Sequence, residues 1–325
     1  MFSSLTKLAD KNFVIGFFLP ALLAVLAATW AFPGVGALDP IRAALLSQKS
    51  LTDLTYVVVG TWVLAIILMV ANHSLYRILE GYLPPVSWLY PLKRLQIRRF
   101  RALSLKYESL MTAWKEAVDK NEDFPPLHQR QATALRRELV ERFPPNETEI
   151  LPTRFGNTIR AFEMYPRQVY GADSIPVWLR LASVISKDFN ALIDDARAQV
   201  DFLVNLAFLA FALAAAAVAR AIHQARWSEM NESPPALLQF LLEAIAQRDG
   251  ITIFAGLALA FFAYHWATNR VLAWGDLVKS AFDCYLPSLA KQLGYALPAK
   301  EADRREFWTD FNALALYQQP MTPDR

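Results

Sequence analysis

Residues 189–220 read FNALIDDARAQVDFLVNLAFLAFALAAAAVAR, and this stretch decides the fold. Apolar or small residues recur at Phe189, Ile193, Ala196, Val200, Leu203, Ala207, Ala210, Ala214 and Ala217, in alternating steps of four and three. Such a stripe belongs to a helix that packs on a neighbour along a left-handed seam. The first half carries Asp194, Asp195, Arg197 and Asp201, whereas from Phe202 to Ala219 the only polar side chain is Asn205. One helix thus runs from water into a hydrocarbon layer, which takes about 20 helical residues to cross. Inside that layer small side chains let backbones approach, and packing replaces the hydrophobic effect as the force of association. The seam Val200, Leu203, Ala207, Ala210, Ala214 and Ala217 is expected to pack on other spans of the same chain, the alternative being an axis between copies.

Three further stretches, residues 13–32, 54–71 and 251–266, are apolar enough to cross as well, the last flanked by Trp266 and Trp274 at headgroup level. The whole chain agrees, since 54% hydrophobic and 19% charged residues are too apolar a balance for an ordinary soluble domain. The first stretch follows Lys7 and Lys11 as a secretory leader would, but its apolar run is too long and no small-x-small cleavage site follows Trp30. It reads as a retained anchor with a bend at Pro20.

Orientation follows from KRLQIRRFRALSLK, in which Lys93, Arg94, Arg98, Arg99, Arg101 and Lys106 occur without an acid. An excess of Lys and Arg marks the cytoplasmic side, so both termini are expected inside. Lys93, Arg94, Arg98, Arg99 and Arg101 are candidates to rest on anionic lipid headgroups. No RNA- or DNA-binding signature stands beside them, and nucleic acid is not expected as a partner. The two outside loops contain helix starts at Asp39–Pro40 and Ser233–Pro234, the second apolar at Leu237, Leu238, Leu241, Leu242 and Ile245 and expected along the outer membrane surface or against the other loop.

The second span is expected to continue as one helix until Pro84 and Pro85. Next comes a long amphipathic helix with Phe100, Leu103, Tyr107, Leu110, Trp114 and Ala117 on one face, then a shorter helix over 127–143. The chain as a whole is expected to be all-α, a polytopic membrane protein with four transmembrane helices and a helical cytoplasmic domain. Its parts are residues 1–81 (two spans), 82–199 (cytoplasmic helices), 200–270 (two spans with an outside amphipathic helix) and 271–325 (a cytoplasmic amphipathic helical tail with Phe307, Phe311 and Leu314 at helical spacing).

Motifs for chemistry are missing from the sequence. The histidines His73, His128, His223 and His265 stand apart, Cys284 is the single cysteine, and no zinc-protease, phosphate-loop or nucleophile-elbow pattern occurs. No catalytic residue, metal site or cofactor is therefore expected. Asn72, His73, Asp201, Asn205 and His265 are polar groups near span ends, where interfacial hydrogen bonding is the favoured reading.

One polar concentration remains, LPTRFGNTIRAFEMYPRQVYGADSIPVWLRL at 151–181. Thr153 is expected to cap a helix over 154–165 that buries Phe155, Ile159 and Phe162 and is ended by Pro166. Gly171 is expected at positive φ, with Asp173 or Ser174 capping the next helix. Arg154, Arg160, Glu163, Arg167, Asp173 and Arg180 form the candidate site for a ligand or partner, either with the arginines converging on an anion or in a structural network with Glu163, Asp173 and Asp188. The block, of the form PTR-x-GN-x-x-R-x-x-E-x-Y, then YG-x-D and W-x-RL, resembles one in uncharacterised bacterial four-span inner-membrane proteins. That resemblance implies a bacterial inner membrane location and carries no catalytic residues with it.

The expected function is a membrane-anchored interaction or sensory module, oligomeric or bound to a protein partner as well as to lipids. Its cytoplasmic helices would bind that partner or an anion and couple it to the membrane helices. The alternative is an oligomeric channel or membrane-permeabilising effector built around the third span. Enzymatic activity is not expected.

Overall fold

The computed structural model describes residues 10–36, 38–46, 51–224 and 248–321. The chain is all-helical there, without a strand among the described residues. Ten helices are used below: α1 (Lys11–Ala31), α2 (Asp39–Leu46), α3 (Leu51–Glu80), α4 (Tyr90–Asp119), α5 (Pro126–Arg142), α6 (Arg154–Tyr170), α7 (Ser174–Leu181), α8 (Lys187–Gln224), α9 (Arg248–Gln292) and α10 (Glu301–Tyr317). Four of them, α1, α3, α8 and α9, are long and apolar enough to cross a membrane. The outside helix expected after Ser233 lies beyond the described residues.

The chain divides into two compact units, residues 1–76 with 197–267 and residues 77–196 with 268–325, so that α3, α8 and α9 each contribute to both. In the first unit only 28–39% of each span's apolar window is buried within the chain. Val59, Val63, Ile67 and Val70 of α3 and Phe254, Phe261 and Phe262 of α9 face outward. An apolar exterior of that extent suits hydrocarbon and would be an aggregating surface in water. Inside, the Phe13 and Trp62 rings meet at a tilt with centroids 5.4 Å apart, beside Ala21, Ala65 and Leu68. Further along, Ala31, Phe32 and Ala217 form a second cluster. Arg220, the basic residue at the far end of α8, pairs with the buried Asp249 of α9 and donates to the Ala31 carbonyl at 2.7 Å. Its charge is thus spent inside the unit.

The second unit begins with the last turn of α3. That helix stops at Glu80 rather than running on to Pro84 and Pro85, because Gly81 takes φ 94° and Tyr82 N and Leu83 N both turn back to the Arg77 carbonyl. Helices α4 and α5 pair next through Arg99 with Glu138, and Phe100 on Phe143 at 5.6 Å and Arg101 with Glu147 tie α4 to the segment that follows α5. The inward stripe of α4 is shallow, since Trp114 is exposed and Gln96 is the buried residue of that helix. The core proper lies among α6, α7, α9 and α10, with Phe155, Val177, Leu181, Phe282, Leu289 and Phe311 almost fully buried. Helix α9 runs unbroken to Gln292, across residues expected to begin a separate tail.

Candidate functional site

The polar block at 151–181 is built as a clasp. Thr153 Oγ1 accepts from Gly156 N at 2.9 Å and donates to the Leu79 carbonyl at 2.6 Å. One hydroxyl therefore caps the start of α6 and satisfies a terminal carbonyl of α3. Pro152 lies against Gly81, where an added Cβ would come within 2.7 Å of the proline ring. A Cβ on Gly156 would fall on the Glu80 carbonyl oxygen and 2.8 Å from Glu80 Cα, so only glycine lets the two backbones touch. Asn157, fully buried, accepts from Leu151 N at 2.7 Å and donates to the Leu151 carbonyl at 3.0 Å, closing the loop that leads into α6.

The charged residues do not converge on one point. Arg160 Nε and Nη2 donate to Glu149 Oε2 at 3.1 and 2.5 Å, and Nη1 lies 3.5 Å from Glu163 Oε2. Burial pushes the Glu163 carboxyl above its ordinary range, opposed by Arg160 and Arg77. Burial likewise raises the nearby Tyr82 hydroxyl, opposed first by Arg160. Arg167 Nε stands 3.3 Å from Asp173 Oδ1 on the exposed side. Arg180 donates to the Pro176 carbonyl at 2.6 Å and sits 5.7 Å above the Phe311 ring. Arg154 is exposed and forms no ion pair among the described residues, and the same holds for Asp188.

Helix α6 continues through Pro166 to Tyr170, past the expected stop. The proline removes one N–H from the ladder, but Pro166 is itself buried and the helix closes at Gly171 (φ 80°), whose N–H bonds to the Arg167 carbonyl while Ala172 N reaches Pro166 O. The added turn brings Tyr170 beside Tyr165, and both hydroxyls donate to Asp283 Oδ1 of α9, at 2.7 and 2.9 Å. Burial and the bond to Asp283 push the Tyr170 hydroxyl well above its ordinary range. Asn312 of α10 donates to the Gly171 carbonyl at 2.7 Å and accepts from Asp173 N at 2.8 Å, so the tail locks the turn after α6. Glu149, Asp283 and Asn312 are the partners that the block's own sequence does not disclose.

Elsewhere, two of the five basic residues named for lipid are committed to protein carboxylates. Arg101 is bidentate to Glu147 at 2.7 and 2.5 Å, and Arg99 pairs with Glu138. Arg94 lies 4.7 Å above the Tyr90 ring, while Lys93 and Arg98 form no ion pair among the described residues. The seam residues Val200, Leu203, Ala207, Ala210, Ala214 and Ala217 are all buried. A Cβ on Gly256 of α9 would meet the Ala210 carbonyl at 2.8 Å and Ala214 Cβ at 3.0 Å, which makes α9 the helix that occupies this part of the seam. Of the polar groups near the spans, Asn72, Asp201 and Asn205 are buried, whereas His73 and His265 face outward. Among the described residues no three His, Cys, Asp or Glu stand close enough to hold a metal ion.

No protein-family model, curated protein or solved structure matches the chain.

Proposed function

We propose that this chain is a membrane-anchored interaction module of the bacterial inner membrane, with α4–α7 and α10 on the cytoplasmic side. The observation that carries the reading is how the polar block is used. Thr153, Gly156, Asn157, Arg160, Tyr165 and Asp173 are spent on neighbours within the chain, while the outer face of α7 leaves Ile175 68% and Leu179 79% exposed. Those two residues are one helical turn apart and share a face. An i, i+4 pair of large apolar side chains is the kind of anchor a partner groove receives from a helix.

Membrane placement is supported by the four apolar helices and by the segment just after α3. Trp88, Leu89 and Tyr90 are exposed there, followed at once by Lys93, Arg94 and Arg98. Aromatic residues beside basic ones suit the boundary between headgroups and water, and the basic cluster favours the cytoplasmic leaflet. Arg154, exposed and without an ion pair among the described residues, is placed to meet an acidic group of a partner.

The test is co-purification from native membranes at matched expression, comparing wild type with the double variant Ile175→Asp, Leu179→Asp. Retention of a stoichiometric partner by wild type and its loss from a folded double variant would support the reading. A wild-type protein that is monomeric, with no stoichiometric partner and no response to the double substitution, would contradict it. A channel assembled around α8 is the weaker reading, because Gly256 already lies against Ala210 and Ala214.

A further inference from the structure

In the first unit, polar atoms collect where α1, α3 and α8 meet. The Asp201 carboxylate of α8 is almost enclosed, and its Oδ1 accepts from Tyr76 Oη at 2.8 Å and from Asn72 Nδ2 at 3.1 Å. Arg197, half exposed, brings Nε to 3.9 Å from the other carboxylate oxygen. One turn along, the fully buried Asn205 donates through Nδ2 to the Gly16 carbonyl at 2.8 Å. That carbonyl is available for a chemical reason, since Pro20, four residues ahead, has no N–H to give it. The backbone widens into a π-turn over Val14–Phe18, with Leu19 N reaching the Val14 carbonyl. π-Turns of this kind recur at functional sites. An ideal Cβ on Gly16 would lie 3.1 Å from Asp201 Cβ, so the two helices touch at this place.

What the cluster leaves over is oxygen. Asn72 Oδ1, Asn205 Oδ1 and Asn12 Oδ1 are buried and without a hydrogen-bond donor, and Asn12 stands one turn before Gly16 on the same face of α1. Buried acceptors without a donor are costly, and three of them on the helices that enclose one buried carboxylate call for a positively charged complement. A single carboxylate with neutral amide and carbonyl oxygens suits a hard cation of charge one, whereas calcium sites draw on several carboxylates. Ionisable groups inside spanning segments mark ion pathways and sites.

We propose that Asp201, Asn72, Asn205 and Asn12, with the Gly16 carbonyl, bind a monovalent alkali cation at the junction of α1, α3 and α8. The Arg197 guanidinium competes with it for Asp201 from the exposed side.

The experiment uses the full chain in detergent, with thermal unfolding followed in choline chloride and in sodium, potassium or lithium chloride at constant ionic strength. A saturable rise in Tm of at least ~2 °C is expected with one of the alkali cations over choline, as linkage requires of a ligand bound only by the folded state. Arg197→Gln should lower the cation concentration at half-effect severalfold, and Asn205→Leu should raise it by tenfold or more. If Asn205→Leu does not fold, wild type and Arg197→Gln decide the matter. Identical Tm values in choline and all three alkali salts would overturn the proposal and leave water as the donor to these amide oxygens. So would a severalfold weaker cation response in Arg197→Gln.

Discussion

Replacing Gly156 by alanine tests the clasp at its tightest point. The new methyl group would fall on the Glu80 carbonyl oxygen and 2.8 Å from Glu80 Cα, closer than any real Cβ contact. Both atoms are backbone at the end of a helix, so no side chain can rotate away. Helix α6 would have to withdraw by on the order of 1 Å, with overpacking of this kind costing about 1–3 kcal/mol. Withdrawal also stretches the 2.6 Å bond from Thr153 Oγ1 to the Leu79 carbonyl, a further ~0.5–1.5 kcal/mol. Alanine in place of a helical glycine returns about 1 kcal/mol, so the net destabilisation is roughly 0.5–3.5 kcal/mol. At about 2–4 °C per kcal/mol for a unit of this size, thermal unfolding in detergent should show Tm lower by roughly 1–14 °C. Gly36→Ala, at a position with nothing within 4 Å of the added methyl, is the control and should leave Tm unchanged. A Gly156→Ala protein as stable as wild type, or more stable, would refute the reasoning, because helix propensity alone would then govern the site.

Glu149 is the closer partner of Arg160, so Glu149→Gln should lower Tm, whereas Glu163→Gln at pH 7 should be neutral or slightly stabilising; a calorimetric scan of the two variants checks the order. The same Glu163 shift has a pH signature. Its folded pKa lies above the unfolded one, so the folded state holds the proton more firmly, and stability should fall as pH rises through the range just above the ordinary carboxylate value of 4.5. That slope should be shallower in Glu163→Gln than in wild type. Tyr165 and Tyr170, both raised by burial and then by Asp283, should resist ionisation at pH 10 in an ultraviolet titration, and Asp283→Asn should return them toward ordinary behaviour. Arg154→Ala should change stability by less than about 0.5 kcal/mol, as expected of an exposed side chain that forms no ion pair among the described residues, while weakening partner co-purification.

Local chemistry made much of the helical fold legible. The four-and-three stripe on α8 ran unbroken in the sequence and is buried from Val200 to Ala217. Thr153 as a cap and Gly171 at positive φ follow from what those residues do in any chain. Pro166 misled because the cost of a proline inside a helix depends on what the next turn gains, and here that turn delivers Tyr170 to Asp283. The length of α9 was hidden because Arg270, Asp276 and Lys279 end its apolar run, although Gly275 beyond it fits closely against Phe162. Glu149, Asp283 and Asn312 could not be read from the block they serve. They are joined to it by the packing of α6, α9 and α10, and a helix period says which face a residue occupies without saying what stands opposite.

The most direct test of the interaction module is photo-cross-linking in native membranes with a probe placed singly at Leu179 or at Ala214. The account predicts a defined adduct with one other protein from position 179, and from position 214 cross-links only within the chain. No adduct from position 179, together with chain-to-chain adducts from position 214, would contradict it and favour an assembly around α8.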